Sequence, residues 1–148
     1  MKFQSDDVET FDFLKEEIGY RLADRVLDIK REMDVAVDIG SGRGYVTRHI
    51  TRHSVKKLFA LEMSPTMMDQ CQLPDREIEN VETEKILFDE DNQQLPFEDS
   101  SVNLVTSSLS MHWVNNLPGL FKDINRILKE DGVFLGAMFG GETLFELR

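Results

Sequence analysis

The sequence predicts an α/β fold, one domain over residues 1–148 in which an open parallel sheet carries helices on both faces. Three observations predict it. Short apolar runs of strand type recur along the chain, amphipathic helical stripes alternate with them, and the first run leads straight into three alternate glycines. No internal repeat or low-complexity segment interrupts the alternation.

The first stripe is Leu14, Ile18, Leu22 and Val26, recurring at steps of four, so one helix face is apolar and is expected to pack over the mouth of the site that follows. Next comes Val35-Ala36-Val37-Asp38-Ile39-Gly40-Ser41-Gly42-Arg43-Gly44-Tyr45, a buried-type strand, a glycine bend and then helical sequence. Glycines turn the backbone with positive φ and bring its N–H groups close to a ligand, and a helix start adds unpaired donors. The spacing is Gly-x-Gly-x-Gly, not the Gly-x-Gly-x-x-Gly that opens dinucleotide-binding folds. Asp38 at the strand end repels a pyrophosphate and welcomes an ammonium group, which favours S-adenosylmethionine over NAD.

The run Lys57-Leu58-Phe59-Ala60-Leu61 is the second strand, and it ends in Glu62, 18 residues after Gly44 (62 − 44). A carboxylate there can accept both hydroxyls of a ribose on the neighbouring strand tip. Met63 offers an apolar, polarisable face to an adenine ring. The third strand, from Ile86, leads into an acidic loop and the turn Leu95-Pro96-Phe97, and the fourth, from Val102 to Ser108, carries Ser107 to the same sheet edge. Asp89 lies nearer the strand end, and Asp91 and Asn92 follow it in the loop.

The stripe Leu120, Phe121, Ile124, Ile127 and Leu128 is a second amphipathic helix. The turn Lys129-Glu130-Asp131-Gly132 is expected to stop it before a fifth strand from Val133 to Phe139.

The order Asp91-x-x-x-Leu95-Pro96-Phe97, after the glycine bend and Glu62, resembles the Rossmann-like class I S-adenosylmethionine-dependent methyltransferases, and this resemblance implies Asp91, with Asn92 beside it, as the adenine contact and Asp89 as the fallback. A narrower resemblance rests on residues 11–19, on Ser107-Ser108-Leu109-Ser110-Met111-His112-Trp113-Val114 and on Gly136-Ala137-Met138-Phe139-Gly140-Gly141. These stretches look like the mitochondrial respiratory complex I assembly factor 5 family, and the likeness runs from about Phe11 to Arg148. It implies arginine hydroxylation of a complex I subunit, S-adenosyl-L-methionine as cofactor, and the matrix side of the mitochondrial inner membrane. The malonyl-carrier-protein O-methyltransferases of biotin synthesis are similar in the cofactor motifs and less so around His112. A non-catalytic assembly chaperone that kept the domain as a docking surface is the reading from a different class.

Composition fits a compact domain: 41% hydrophobic and 30% charged residues, with no run approaching the ~20 apolar residues of a membrane span. With 17 basic against 28 acidic residues and a net charge of −11, the chain is a poor match for nucleic acid and a better one for a basic protein segment. Cys71 is a lone cysteine read as a buried, inert thiol, so neither an intramolecular disulfide nor a cysteine metal cluster can form. His49 and His53 lie four apart but between arginines and without a third ligand, and no metal site is read. No pair of histidines and one carboxylate of the kind that holds iron stands out either.

His112 is the candidate for a catalytic proton carrier, and Trp113 can stack on a sulfonium or guanidinium. The segment Met1 to Asp7 lacks the arginine-rich character of a presequence. Residues 140–148 are expected to begin a helix, the two further strands of such methyltransferases being missing. That leaves the fifth strand as an open edge in need of a covering partner.

Overall fold

The computed structural model describes residues 5–140 and 143–147, with side chains placed for 10–138. Five parallel strands form the sheet: β1 (Met33–Ile39), β2 (Val55–Glu62), β3 (Glu82–Leu87), β4 (Val102–Ser108) and β5 (Leu128–Gly140). A sixth, β6 (Thr143–Leu147), runs antiparallel on the end, and the order is β3-β2-β1-β4-β5-β6. The direction of chain progression reverses between β1 and β4, which opens a crevice at the carboxyl ends of those two strands. The glycine bend starts there.

β1 is covered on both faces, which is why it reads as a nearly continuous apolar run. Ala36, with Leu58 and Leu104 of the neighbouring strands, packs under Leu22, Ala23 and Val26 of helix α1 (Ser5–Asp28). Val37 and Val105 pack on the other face under Leu120, Ile124 and Ile127 of helix α4 (Leu117–Ile127). Both predicted stripes therefore bury their apolar sides, one on each face. Helix α4 is started by Asn116, whose side chain accepts the Gly119 N–H at 3.2 Å, with Pro118 in the first turn. Two short helices, α2 (Pro65–Gln70) and α3 (Arg76–Glu79), join β2 to β3 and are capped by Ser64 and Asp75. No helix among the described residues is long and apolar enough to cross a membrane.

The Leu95-Pro96-Phe97 turn is tied to α4. Asp123 accepts the Leu95 N–H at 2.6 Å, and Arg126 donates to the carbonyls of Leu95 (3.0 Å) and Phe97 (2.8 Å) while pairing with Asp99 and Asp123. Leu95 is buried by this clamp. The acidic loop before it is thus anchored at its far end.

Three expectations are corrected. The segment after the glycine bend forms only a 3-10 turn, Thr47–His49, because β-branched Val46, Thr47, Ile50 and Thr51 disfavour a helix and the Thr47 hydroxyl donates to the Gln72 carbonyl at 2.7 Å. Lys129 to Gly132 does not separate helix from strand: α4 ends at Ile127, and these residues are extra length within β5, where Val102 faces Leu128 but Leu104 faces Val133. Residues 143–147 are a strand, not the start of a helix, so β5 has no open edge there. Thr143, Leu144 and Phe145 favour strand, and pairing with β5 satisfies backbone groups that a helix would leave unpaired.

Gly19 lets α1 touch the segment after the bend. A Cβ at Gly19 would stand within 3.0 Å of the Tyr45 carbonyl carbon, oxygen and Cβ. Gly19→Val is therefore expected to lower stability by about 1–3 kcal/mol in urea unfolding. Asp24→Val, on the exposed side of the same helix, is expected to change it by about 0.5 kcal/mol or less.

Candidate functional site

The bend leaves β1 with three left-handed glycines, at φ +66° (Gly40), +55° (Gly42) and +86° (Gly44). Side chains are excluded at two of them by neighbours: a Cβ at Gly40 would meet Ser110, and one at Gly44 would meet the backbone of Gln72 within 3.0 Å. Gly42 has only ordinary contacts with Tyr45 and Met67, so its left-handed backbone is the reason for glycine there. Ser41 is buried; its N–H donates to the Leu61 carbonyl at 2.9 Å and its hydroxyl to the same carbonyl at 3.2 Å, which fixes the bend to β2.

Glu62, at the tip of β2, closes on this bend. Oε2 accepts the Gly42 N–H at 2.8 Å, and Oε1 accepts the Met63 and Ser64 N–H groups at 3.1 and 3.2 Å. Met63 beside it is exposed. Asp38 lies in register with Ala60 and Thr106 and is buried; Oδ1 accepts the Thr106 hydroxyl at 2.8 Å, while Oδ2 has no hydrogen-bond partner. Burial pushes its pKa up to about 7, the Thr106 hydroxyl opposes the rise, and the Glu62 charge adds to it. From β4, buried Ser107 shares a hydrogen bond of 2.9 Å with Ser110, which in turn donates to the Ile39 carbonyl at 3.3 Å beneath Gly40.

The acidic loop places its three carboxylates differently. Asp89 folds back on its own loop, accepting from Asp91 N–H and Asn92 Nδ2, and these bonds, the one from Asn92 first, hold its pKa down. Asp91 is turned to the loop after β4: Oδ1 accepts from the N–H groups of Asn115 (2.8 Å) and Asn116 (3.4 Å), and Oδ2 from Asn115 Nδ2 at 3.0 Å. Glu90 is the acid that reaches the bend. Its Oε1 lies 3.8 Å from the position of a Cβ on Gly40, and burial, then repulsion from Glu62, Asp89 and Asp91, raises its pKa. A cavity of about 660 Å³ adjoins the loop, bordered by Glu90, Asp91, Asn92, Asn116 and Lys122.

Helix α1 straps the other side. Asp12 accepts from Tyr45 Oη at 3.1 Å and pairs with Arg43 at 3.4 Å, and Glu16 pairs with Arg48 at 2.6 Å, around a cleft of about 470 Å³. Burial and Asp12 raise the Tyr45 hydroxyl to about 12. His112 and Trp113 form a 3-10 turn, Met111–Trp113, with ring centroids 4.8 Å apart. Burial and Lys15 of α1 lower the His112 pKa, and Trp113 is 75% exposed.

The structure thus gathers Asp38, Gly40, Ser41, Gly42, Gly44 and Glu62 at one bend, with Ser107 reaching it through Ser110. Met63 follows the tip of β2, while Asp91 and Asn92 lie in the loop beyond β3, with Asp91 turned to Asn115 and Asn116. Glu90, Ser110, Asp12 and Glu16 were not singled out from sequence; a consecutive Asp-Glu-Asp run does not say which acid turns inward. Cys71 follows α2, is buried, and has its thiol pKa raised by burial. His49 stands edge-on to Tyr20 at 5.4 Å. Among the described residues no three of His, Cys, Asp or Glu gather in metal-binding geometry.

Comparison with known proteins defines the class. The methyltransferase domain family matches residues 37–136, and the chain belongs to that family. The mouse (Mus musculus) protein named arginine-hydroxylase NDUFAF5, mitochondrial, is 47% identical over 142 residues, covering 96% of this chain and 39% of the mouse protein. A malonyl-(acyl-carrier protein) O-methyltransferase of Nitrosospira multiformis is 34% identical over 148 residues, covering 91% of this chain and 48% of that one. The chain therefore spans less than half the length of either relative. In fold, a solved S-adenosylmethionine-dependent methyltransferase of Leishmania major superposes with a TM-score of 0.69 over 91% of this chain and 55% of its own, at 16% identity. The assembly-factor resemblance and the Rossmann-like fold class read from sequence are both borne out.

The raised Asp38 carboxyl sets a stability test. A native carboxyl that keeps its proton up to about 7, against 3.8 in the unfolded chain, means the native state binds more protons over that window. Its contribution to stability is lost as pH rises through it. Asp38→Asn does not titrate, so its stability relative to the parent chain is expected to be higher at about pH 8 than at about pH 5 in thermal melts. An equal difference at both pH values contradicts the assignment.

Proposed function

We propose that this chain is the S-adenosylmethionine-binding part of a protein that hydroxylates an arginine of a complex I subunit during complex I assembly on the matrix side of the mitochondrial inner membrane. The observation that carries the cofactor assignment is the meeting of a glycine bend, a strand-tip glutamate and a buried carboxylate with an unanswered oxygen at the sheet's switch point. Those groups suit a nucleoside bearing an amino acid. In this reading Glu62 takes the ribose hydroxyls, Met63 the adenine face, and Asp91 with Asn92 the adenine edge beside the cavity they border. The bend Gly40, Ser41, Gly42 and Gly44, with Ser107 beneath it, lies under the methionine moiety, and Asp38 answers its ammonium group.

When bound, S-adenosylmethionine supplies a sulfonium centre with an activated methyl group. The chain's own part is to bind and orient. His112, whose pKa burial and then Lys15 lower, stands in the turn after the fourth strand as the candidate proton carrier. Exposed Trp113 offers an indole face to a guanidinium, and the surrounding acids attract a basic segment. The reaction assignment rests on the mouse relative's name and identity.

Calorimetric titration of the chain with S-adenosylmethionine is expected to show binding that Glu62→Ala weakens by about tenfold or more, the loss of charge-assisted hydrogen bonds. Silence from a folded sample favours a non-catalytic assembly chaperone. For the full-length protein, mass spectrometry of complex I subunits with and without the gene is expected to show one added oxygen on an arginine. An added methylene group there, or methyl transfer to a malonyl thioester, would place the protein with the methyltransferases instead.

A further inference from the structure

Asp38 stands two residues before Gly40 on the central strand and is 1% exposed. Among the described residues no compensating charge faces it. β4 contributes the neutral Thr106 hydroxyl to Oδ1, β2 contributes the Glu62 carboxylate, and the end of α2 contributes the buried Cys71 thiol, whose pKa Asp38 itself helps to raise. Glu90, from the loop after β3, adds its repulsion to Glu62. Lys85, which acts on the Cys71 thiol, donates to the Met68 carbonyl at 3.0 Å, and no ion pair to Asp38 forms among the described residues. Oδ2 is buried with nothing to answer it.

A buried carboxylate in that position is costly as an anion and is stable with a proton on its free oxygen. We propose that Asp38 exchanges this proton for the α-ammonium group of the adenosyl ligand, so that binding of a ligand with an amino-acid tail is coupled to the release of one proton. The inference rests on the cofactor reading above and goes beyond it. The Asp38 O–H bond breaks and its proton leaves to solvent; the ligand's N–H donates to the freed oxygen, and no bond of the ligand changes. Its titration near 7 places the exchange in the neutral range. Affinity for a tailed ligand then rises about tenfold per pH unit below that point and levels above it. A nucleoside without the tail binds with no exchange.

Calorimetry of the chain with S-adenosylhomocysteine, in two buffers of different ionisation enthalpy, measures the protons released. The expected result is about one proton released per ligand at about pH 6 and close to none at about pH 8. 5′-Methylthioadenosine, which lacks the amino-acid tail, is expected to release none at either pH. Asp38→Asn is expected to abolish the release and to bind S-adenosylhomocysteine about tenfold or more weaker at about pH 8. The methylthioadenosine comparison uses the unaltered chain, so the test does not depend on the variant folding. Binding of S-adenosylhomocysteine without proton release at about pH 6, or equal release with both ligands, overturns the exchange and leaves the cofactor reading standing. Failure of S-adenosylhomocysteine to bind at either pH overturns both.

Discussion

The closure of the Glu62 carboxylate on the Gly42 N–H is the contact on which the site is organised. It joins the tip of β2 to the bend that leaves β1, and the same side chain gathers the Met63 and Ser64 amides, so three backbone donors converge on one anion. Charge-assisted bonds of this kind are each worth about 1.5–3 kcal/mol, enough to hold three alternate left-handed glycines in one conformation. Ser110 under Gly40 and Gln72 against Gly44 leave the bend no room to widen, and Asp12 and Glu16 tie the following residues to α1. The cradle is therefore set by its neighbours as much as by its glycines.

The acids have a shared logic. Asp38, Glu62 and Glu90 reach one crevice from three strand ends, and two of them have pKa values raised by burial. Burial of unpaired carboxyls works against folding, so the arrangement is explained by what it binds and not by what it stabilises. A ligand carrying a positive charge relieves the repulsion. Outside the crevice the same excess of acid, net −11, suits a basic protein surface.

Much of this was legible in the chain because the central strands are covered on both faces, and residues so placed must be apolar in a continuous run. The bend was legible because glycine adopts positive φ at less cost than any residue with a side chain, so three alternate glycines after a strand mark such a turn, and Glu62 because a strand's length fixes where its tip falls. The strand at residues 143–147 was not, since a short apolar segment after glycine reads equally as helix or hairpin until its pairing partner is known. Nor was the missing α-helix after the bend, where Thr47 turns its hydroxyl to a carbonyl 25 residues away. Among Asp89, Glu90 and Asp91 the choice depends on which acids the neighbouring loop already holds: Asn115 and Asn116 take Asp91, Asn92 takes Asp89, and Glu90 alone is left to turn toward Gly40.

All of these features converge on the claim that the tips of β1, β2 and β3 together hold a single adenosyl ligand. A crystal structure of the chain grown with S-adenosylhomocysteine tests it most directly. The account predicts the ligand seated over Gly40 to Gly44, its ribose hydroxyls on the Glu62 carboxylate and its amino group on Asp38 Oδ2. A ligand seated away from the bend, with Glu62 still bound only to its three backbone amides, would contradict it.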